Sequence, residues 1–441
     1  MPAFKVGAWD GTIRLFNVST GLIYAGLQSH VEKFCQDHNY PIEYCGDCGA
    51  KGLSSSSVAQ SLEFVKSLIL PFKPHQHQIE AFLYAVKSER TLLLSPTASG
   101  KSLIIYILTK FYNKKTLIIV PTTNLVHQLY SDFIDYGMKE EFIHKIFSGQ
   151  DKNYDVPIII TTWQSIYKLN KKWFECFNLV IGDEADQFEA KSLTSIMTKL
   201  ENCPYRFGVT GTLKGTKTNQ LVLEGLFGPV KTVATTNELM KKEILSNLKI
   251  NIILLHYPEN EKKVNRDYKT EINFLLSHYG RNSFIKNLAL SCNGNTLILF
   301  QFVEKHGKII YEKILKEAGN RPVFFVWSKI KGDERDEIRK IVENETNAII
   351  IASSVFVRGV NIKSLQHLIF ISPTKARRIV LQSIGRTLRK SENKECAILY
   401  DIVDDLSYKR KNNYALQHFK ERMQIYIEEN FNVKTYKVKL K

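Results

Sequence analysis

The sequence lacks any hydrophobic run long enough to cross a lipid bilayer. Its longest apolar stretches, such as LIIYIL and AIIIA, fall well short of the roughly 20 residues that a transmembrane helix needs. The first residues, MPAFKVGAWDG, have neither the basic start nor the apolar core of a secretory signal peptide. The 7 cysteines are odd in number and irregularly spaced, which argues for a reducing compartment. We therefore expect a cytoplasmic protein that does not associate with a membrane.

Acidic residues are scarce relative to basic ones. The 441 residues include 61 Lys and Arg but only 44 Asp and Glu, which gives a formal net charge of +17. A chain this basic typically binds a polyanion, with nucleic acid as the default, although a scattered surface charge is the alternative. At 44% hydrophobic and 11% aromatic residues the chain can bury sizeable cores, and its length suits about three domains. No repeat of roughly 20–50 residues indicates a solenoid.

Two series of short apolar runs dominate the rest of the chain. Runs that are continuous rather than alternating are typical of parallel strands buried on both faces. Here they alternate with amphipathic helical segments, which predicts an α/β fold of two tandem doubly wound parallel-sheet lobes. The first series is TLLLS, TLIIVP, VPIIITT, FNLVIGD and YRFGVTGT, and the second is LKINIILL, TLILFQF, PVFFVW, AIIIAS, HLIFIS and CAILYDIVD.

A smaller unit precedes the lobes. Residues 3–17 alternate around Trp9-Asp10-Gly11, which predicts a hairpin, and are followed by a predicted helix, LQSHVEKFCQDHN, and a predicted strand, PIEYC. The basic tail should contain a helix and a strand, either docked on the second lobe or in contact with nucleic acid. The predicted boundaries are 1–52 for a small N-terminal α/β domain, 53–70 for a linker, 71–240 and 241–407 for the lobes, and 408–441 for the tail.

One cluster of cysteines invites a zinc interpretation. Cys35, His38, Cys45 and Cys48 have the spacing C-x2-H-x6-C-x2-C and could supply four tetrahedral ligands. The alternative places Cys35 on the apolar face of a helix and the other two cysteines in a glycine-rich turn. The six-residue spacer is short for a zinc finger, so this second interpretation is favoured and zinc is not expected.

The stretch SPTASGKS, residues 95–102, predicts a phosphate-binding loop between a strand and a helix. Backbone amides at the start of the helix can cradle a phosphate. Lys101 would reach the β- and γ-phosphates, and the Ser102 hydroxyl would be a ligand of Mg²⁺. Ser95 stands where the usual motif has its first glycine. The predicted ATP-binding residues of the loop are Thr97, Ser99, Gly100, Lys101 and Ser102.

An acidic pair ends a later strand of the first lobe. In FNLVIGDEAD, Asp183 can hold Mg²⁺ through its water shell, and Glu184 can orient or deprotonate the attacking water. Two adjacent carboxylates repel each other unless a bound cation relieves the repulsion. Together with the phosphate-binding loop, this pair predicts a site that hydrolyses ATP.

Hydroxyl and amide side chains follow the other strands of this lobe. Such groups suit contacts to a sugar-phosphate backbone, and ligands bind at this edge of doubly wound sheets. Gln78 could read the edge of adenine with its amide, or it could cap a helix. The predicted coupling residues are Thr210, Gly211 and Thr212, and the predicted nucleic-acid contacts are Thr122, Thr123, Asn124, Thr162, Trp163 and Gln164.

The second lobe contains the motif Q-x-x-G-R-x-x-R in LQSIGRTLRK. Arg386 and Arg389 are three residues apart, which predicts one face of one helical turn. An arginine finger suits the transition state of phosphoryl transfer, so we expect both to act on ATP in the cleft between the lobes. Further predicted residues are Gln382 and Gly359 for the nucleotide, Gln301, Ser353 and Arg358 for nucleic acid, and Trp9, which would stack on an unpaired base or pack in its own domain.

Taken together, these motifs resemble those of a superfamily-two helicase, and the chain closely resembles the phage UvsW-type recombination DNA helicases. The resemblance runs nearly end to end and includes VGAWDGTIRLF, KFCQDHNY, KPHQHQIEAF, LIIVPTTNLVHQL, EKHGKIIY and VLQSIGRTLRK. It implies two RecA-like lobes behind the small domain, with ATP and Mg²⁺ as cofactors. It also implies ATP-driven unwinding or branch migration of forked and branched DNA in recombination, repair or replication. We expect a monomer.

Two other functions are alternatives to a DNA helicase. One is an ATP-dependent RNA helicase, but DEAD-box RNA helicases would have Ser-Ala-Thr at positions 210–212 and a histidine at position 382. The other is an ATP-gated DNA-binding motor subunit of a larger complex. A clamp that binds without turnover should lack Glu184 or an arginine finger, and the sequence has candidates for both.

Overall fold

Two seven-stranded sheets, each entirely parallel, organise this computed structural model. It describes residues 12–45, 55–147, 155–188, 190–213, 217–263, 267–327, 332–353, 364–389, 396–409 and 411–440. The chain divides into two compact units. The first unit runs to Ser95 and continues from Gly100 to Ala234, and the second comprises Pro96–Ser99 and the residues from Thr235 onward. Among all the residues that the structure describes, no helix is long and apolar enough to span a membrane.

The amino-terminal segment forms a short hairpin and a helix. Strands β1 (Phe16–Asn17) and β2 (Leu22–Ile23) pair antiparallel in a hairpin that was not predicted. Helix α1 is Gln28–Asp37 and lies within the predicted helix. The predicted turn at Trp9 lies outside the described residues. The predicted strand at 41–45 is wrong: all five of its residues are exposed, so neither face has a core to bury.

The segment predicted to be a linker, 53–70, is instead largely helical. Helix α2 is Ser55–Ser67. Val58, Leu62 and Val65 recur at the spacing of one helical face, and Val65 is buried in the core of the first unit. The serine run at its start was misleading because serine favours helix N-termini as well as flexible linkers.

The first sheet has the strand order β5-β6-β4-β7-β8-β3-β9. Two apolar clusters cover its two faces, which is why its strands are continuous apolar runs. The strands are β3 (Arg90–Leu94), β4 (Thr116–Val120), β5 (Ile143–Ile146), β6 (Ile158–Thr162), β7 (Leu179–Asp183), β8 (Tyr205–Thr210) and β9 (Val230–Thr232). The helices are α3 (Gln76–Ser88), α4 (Lys101–Tyr112), α5 (Thr123–Asp135), α6 (Trp163–Ile166), α7 (Lys171–Phe174), α8 (Lys191–Lys199) and α9 (Lys217–Phe227), with 3-10 turns at Ala25–Leu27, Glu140–Phe142 and Ala185–Gln187.

The amino-terminal segment packs directly on α9. Gly26 approaches the backbone of α9 so closely that a Cβ there would lie 1.9 Å from the carbonyl oxygen of Glu224. The imidazole of His30 contacts the Glu224 carboxylate, and Tyr24 packs against the apolar core. The expectation of a small domain joined only by a flexible linker is therefore wrong for its described part, because this close packing holds it on the first unit.

The second sheet has the strand order β12-β13-β11-β14-β15-β10-β16. Its strands are β10 (Asn247–His256), β11 (Thr296–Phe300), β12 (Val323–Val326), β13 (Ile349–Ser353), β14 (His367–Phe370), β15 (Cys396–Asp405) and β16 (Asn432–Lys439). The helices are α10 (Thr236–Lys241), α11 (Glu259–Lys262), α12 (Tyr268–Ser277), α13 (Tyr279–Ser291), α14 (Lys308–Leu315), α15 (Gly332–Asn344), α16 (Arg377–Thr387) and α17 (Tyr414–Glu428), with a π-helical turn at Val303–Gly307.

The two sheets have the same topology. Counted along the chain within each sheet, both have the order third, fourth, second, fifth, sixth, first and seventh strand. This confirms the prediction of two tandem lobes of one fold. It also corrects the separate tail predicted at 408–441, because β16 is the seventh strand and pairs in parallel with β10.

The division between the units lies at Ala234 and Thr235 rather than after residue 240. Thr235 caps α10 in a capping box with Glu238. The Thr236 hydroxyl donates a hydrogen bond to the Glu429 carboxylate just after α17, at 3.2 Å. Helix α10 therefore belongs to the second unit.

A buried ion pair fixes α17 against the second sheet. Arg422 is 1% exposed, and its Nε and Nη2 donate to the two oxygens of Asp401 on β15 at 2.9 and 2.8 Å. Its Nη1 donates to the Thr374 carbonyl at 2.6 Å, and the Tyr426 hydroxyl donates to Asp401 at 2.9 Å. Removing either partner of such an ion pair would leave an unpaired charge buried away from water, which destabilises the folded protein.

We predict that Arg422→Ala lowers the free energy of unfolding by about 3–5 kcal/mol, because it leaves the Asp401 carboxylate buried without its partner. Urea unfolding followed by circular dichroism measures the loss. The matched control is Glu421→Ala on the same helix, which breaks an exposed pair with Lys375 and should cost about 1 kcal/mol or less. Equal effects of the two variants would contradict a structural role for the buried pair.

Candidate functional site

The loop between β3 and α4 has the backbone of an anion cradle. The Ser95 amide donates to the Thr210 carbonyl at 2.8 Å, so β3 and β8 stay paired up to the loop. Ala98 and Gly100 have φ angles of +67° and +81°. Helix α4 then begins at Lys101, and the amides of a first helical turn have no acceptor within the helix. Such a helix start binds phosphate groups.

Gln78 is a capping residue that also contacts this loop. It is the third residue of α3, and its Oε1 accepts a hydrogen bond from the His75 amide at 2.8 Å. Its Nε2 donates to the Gly100 carbonyl at 3.4 Å, and a Cβ on Gly100 would lie 2.1 Å from that nitrogen. With a φ of +81° as well, a residue with a side chain would be strained there. The contact of Gln78 with adenine stays a prediction, whereas its capping role is observed.

The structure brings the loop lysine to the acidic pair. Lys101 Nζ lies 3.4 Å from Glu184 Oε1, and both side chains are largely buried, at 14% and 12% exposure. Glu184 has a φ of +51°, and its amide donates to Asp183 Oδ1 at 2.9 Å. The two motifs are 83 residues apart in the sequence but meet because β3 and β7 flank β8 in the sheet.

The electrostatics around Asp183 fit a divalent cation. The pKa of this carboxyl is raised to about 6, mainly by burial and also by the carboxylates of Glu184 and Asp186, against the opposing effects of the Lys101 ammonium and the Glu184 amide. A cation at this position would favour the charged form. Carboxylate and hydroxyl oxygens are the ligands that Mg²⁺ prefers. The residues present therefore fit Mg²⁺.

Thr210 connects the next strand to the acidic segment. Its hydroxyl lies 3.3 Å from Asp186 Oδ1 and 3.0 Å from the Thr212 carbonyl, and the Thr212 amide donates to it at 3.3 Å. Gly211 lies between the two threonines. Asp186 is 1% exposed, and it is not among the predicted site residues, although it lies only two residues beyond Glu184.

Tyr136 is a second residue that the sequence analysis missed. Its hydroxyl lies 3.0 Å from the Ser102 hydroxyl, and the Tyr106 hydroxyl donates to its carbonyl at 2.9 Å. The Phe72 ring packs edge to face on Tyr136, with centroids 5.6 Å apart. Tyr136 follows α5 and belongs to no recognisable motif, so only the tertiary structure places it beside the proposed metal ligand.

The predicted nucleic-acid contacts of the first lobe lie at the carboxyl ends of β4 and β6, which are neighbouring strands. Gln164 Nε2 donates to the Pro121 carbonyl at 3.4 Å, which connects the two segments. Thr162 is 5% exposed, and its hydroxyl is engaged with that of Ser165 at 2.9 Å. The residues at the end of β4 are Thr122, Thr123 and Asn124, and those at the end of β6 are Thr162, Trp163 and Gln164.

Three predicted residues of the second lobe, besides the two arginines, are described. Gln301 follows β11, and its backbone amide donates a hydrogen bond to the Ser372 hydroxyl at 3.0 Å. Ser353 ends β13 with 4% exposure, and Gln382 lies on α16 with 8% exposure. The remaining predicted residues, Arg358, Gly359 and Trp9, lie outside the described part of the chain.

The predicted arrangement of the two arginines is wrong for Arg389. Helix α16 ends at Thr387, so Arg386 is on the helix and Arg389 lies beyond it. The carbonyls of Leu388 and Arg389 accept hydrogen bonds from the Ser246 amide and hydroxyl, at 2.8 and 3.4 Å. Both arginine side chains are partly buried.

The cysteine cluster is described only in part. Cys35 is half-buried on α1 and Cys45 is exposed, while His38 Nδ1 lies 2.9 Å from the Phe34 carbonyl. Cys48 lies outside the described residues. Among the residues that the structure describes, no three His, Cys, Asp or Glu side chains are grouped so that they could hold a metal ion by themselves.

Three family models match the chain. Residues 1–44 match "DNA helicase UvsW, N-terminal", residues 69–215 match "Type III restriction enzyme, res subunit", and residues 280–391 match "Helicase conserved C-terminal domain". The matches therefore cover both lobes and the amino-terminal segment, in the order that the sequence analysis predicted.

Curated relatives and solved structures agree with these matches. The chain is 34% identical to "ATP-dependent DNA helicase uvsW" of Enterobacteria phage T4, over 98% of this chain and 91% of that protein. It is 26% identical to "DNA 3'-5' translocase XPB2" of Sulfurisphaera tokodaii, over 74% of this chain and 80% of that protein. The DNA-bound Type ISP restriction-modification enzyme LlaBIII has the same fold over 84% of this chain and 32% of that one, with a TM-score of 0.64 and 16% identity. The chain therefore belongs to the UvsW family of superfamily-two helicases.

Proposed function

We propose that the protein is an ATP-dependent DNA helicase that unwinds or branch-migrates forked and branched DNA, in phage-type recombination, repair or replication. The observation that carries the proposal is the contact of Lys101 Nζ with Glu184 Oε1, 3.4 Å apart, at the carboxyl edge of a RecA-like sheet. A lysine of a phosphate-binding loop beside a buried carboxylate is the arrangement that phosphoryl transfer to water needs.

In this proposal, Ser102 and Asp183 hold Mg²⁺, which would neutralise charge on the bound phosphates. Lys101 binds the β- and γ-phosphates together with the loop residues Thr97, Ser99 and Gly100. Glu184 orients the attacking water and accepts its proton. Thr210, hydrogen-bonded to Asp186, passes changes at the carboxylates to the strand end where Gly211 and Thr212 follow.

The second lobe supplies positive charge for the transition state. Arg386 and Arg389 are proposed to act on the γ-phosphate, with Gln382 and Gly359 contacting the nucleotide and Gln78 contacting adenine. The DNA strand would contact residues at the carboxyl ends of β4, β6, β11 and β13, where hydroxyl and amide groups suit a phosphate backbone. We propose that the protein acts as a monomer in the cytoplasm.

A panel of nucleic acids tests the substrate. ATPase activity should rise most with forked and four-way DNA, less with single strands and duplex, and least with RNA of the same sequence. The measurement is phosphate release at fixed ionic strength, because binding of a basic protein to polyanions depends strongly on salt. Stimulation by RNA equal to that by DNA would favour the alternative of an RNA helicase.

Lys101→Ala is expected to abolish ATP turnover and unwinding while DNA affinity without ATP stays within about twofold. The reason is that this lysine serves phosphate of the nucleotide, whereas affinity for DNA comes from many spread contacts. Fluorescence anisotropy with a labelled fork measures the affinity. A parallel loss of DNA binding would mean that the loop is not a separate nucleotide site.

Arg389→Ala is expected to reduce turnover by about 10³-fold or more with little change in ATP affinity, since an arginine finger acts on transition-state charge. Single-turnover hydrolysis and titration with a fluorescent ATP analogue separate the two quantities. Lys375→Ala, which removes a half-exposed cation of the same unit, is the matched control. Weaker ATP binding at unchanged turnover would rule out the finger role.

Tyr136→Phe is expected to raise the Mg²⁺ concentration for half-maximal ATPase by about 2- to 10-fold. The variant keeps the ring but removes the hydrogen bond that orients Ser102, and such a bond contributes about 0.5–1.5 kcal/mol. The rate at saturating Mg²⁺ should change little. Tyr106→Phe, which removes a bond to the Tyr136 carbonyl but none to Ser102, should leave the Mg²⁺ dependence unchanged. An unaltered requirement in Tyr136→Phe would show that the bond does not position the serine.

A further inference from the structure

A cavity of about 670 Å³ opens on the second unit, beyond the carboxyl ends of β10 and β15. We call it the lysine pocket. Lys262 and Lys263 line it from the end of α11, and Lys409 and Lys411 line it from the loop that follows β15. None of the described residues assigned above to the nucleotide or to DNA lines this cavity.

The place of the lysine pocket in the fold indicates an anion site. Strands β10 and β15 are the first and sixth of their sheet, and the corresponding strands of the first sheet are β3 and β8. Between the ends of β3 and β8 lies the phosphate-binding loop. Ligands bind at this edge of doubly wound sheets, so the second unit has its lysine cluster at the position where the first has its phosphate site.

The pocket does not repeat the nucleotide site, however. Helix α11 has only four residues and begins with Glu259, whereas α4 begins with Lys101 and Ser102. Among the described residues that follow β10, no glycine-rich loop precedes a helix start as the loop before α4 does. The charge comes instead from lysine side chains on two separate segments, which suits phosphates spaced along a strand better than the clustered phosphates of one nucleotide.

The positive charge of the pocket is not cancelled by its own acid groups. Lys262 is paired with Glu259 at 3.0 Å, but Lys263, Lys409 and Lys411 form no salt bridge with any described residue. The carboxylate in the wall, Glu271, is 3% exposed. It accepts hydrogen bonds at the start of α17, including two from backbone amides at 3.0 and 2.7 Å, so it is not directed at a ligand.

The described residues of the loop after β15 are hydrogen-bonded within the fold. Tyr408 and Lys411 exchange two backbone hydrogen bonds, at 3.2 and 3.0 Å, which close a tight turn with Lys409 at a φ of +45°. Asn413 then fixes the loop by accepting from the Leu406 amide at 3.1 Å and donating to the Asp404 carbonyl at 3.1 Å. Preorganised charges bind with a smaller entropy cost than flexible ones.

Aromatic rings border the lysines. Tyr408 and Tyr414 line the cavity, and Tyr414 packs edge to face on Tyr268 with centroids 5.6 Å apart. Tyr414 and Tyr268 are 39% and 44% exposed. A groove that binds single-stranded nucleic acid combines two elements, positive charges that neutralise phosphates and exposed rings that stack on bases. The lysines and tyrosines here supply both elements.

We infer that the lysine pocket binds the phosphate backbone of a single DNA strand, as a contact additional to the strand contacts proposed above. The inference rests on the proposed function in assuming that DNA is the polyanion. A free nucleotide would share the phosphate chemistry, and the test separates the two sources.

The test compares Lys409→Gln/Lys411→Gln with the wild type in anisotropy titrations of a labelled single-stranded oligonucleotide, without ATP, over a series of KCl concentrations. The glutamines keep side-chain length and polarity but remove two charges. The slope of log affinity against log salt should become shallower by about 1.4, because each neutralised phosphate of a single strand contributes about 0.7. Affinity should fall several-fold at low salt.

The matched control is Lys316→Gln/Lys340→Gln, which removes two exposed charges at the β12 end of the same sheet and should leave the slope nearly unchanged. ATPase without DNA and the thermal midpoint should equal those of the wild type in both double variants. Equal slopes for the pocket variant and the wild type would overturn the inference and leave the helicase function intact. Failure of the wild type to bind DNA would instead remove the proposed function itself.

A competition arm distinguishes DNA from a free nucleotide. Unlabelled oligonucleotide should displace the probe from the wild type, whereas AMP at millimolar concentration should not. Tyr414→Ala should weaken oligonucleotide binding more than Tyr414→Phe, since only the alanine removes the ring. Binding of AMP that depends on Lys409 and Lys411, with no lysine dependence for the oligonucleotide, would assign the pocket to a nucleotide and overturn the inference.

Discussion

Parallel strand pairing is the constraint on which the rest of this structure depends. In an all-parallel sheet every strand delivers its carboxyl end to the same edge, and the helices that return the chain cover both faces. The consequence in the first unit is that the loop after β3, the acidic pair after β7 and the threonines after β8 meet at one edge. The contact between Lys101 and Glu184, 83 residues apart in the sequence, follows from this geometry.

The repetition of one topology gives each unit the same edge, but the two edges differ chemically. In the first, a helix N-terminus, a lysine and three carboxylates suit a nucleotide with its cation. In the second, Asp404 at the end of β15 is buried and satisfied by Arg281 at 2.8 Å and Tyr257 at 2.7 Å. Asp404 is therefore engaged within the fold, and the lysines of the pocket remain available for another anion.

The buried charged residues fall into two groups, those that stabilise the fold and those that belong to the proposed ATP site. Asp401 and Arg422 are each 0–1% exposed and fully paired, which makes them structural elements that hold the tail on the sheet. Asp183 is only partly buried, and its pKa is raised mainly by loss of solvation and also by the neighbouring carboxylates of Glu184 and Asp186. Perturbation by neighbours of the same sign is typical of a site that expects a cation, and it separates Asp183 from the structural aspartate.

The sequence by itself determined the two-lobe fold, the phosphate-binding loop and the acidic pair, because apolar periodicity and short motifs are local signals. Predictions from local signals were wrong where contacts between distant parts of the chain determine the structure. The serines before Val58 were predicted to be a linker, the strand at 41–45 found no core, and Arg389 was placed on a helix that ends at Thr387. Only the tertiary structure showed that Tyr136 lies beside Ser102 and that the tail strand belongs to the second sheet. The reason is that a contact between residues far apart in the chain produces no periodic pattern in the sequence.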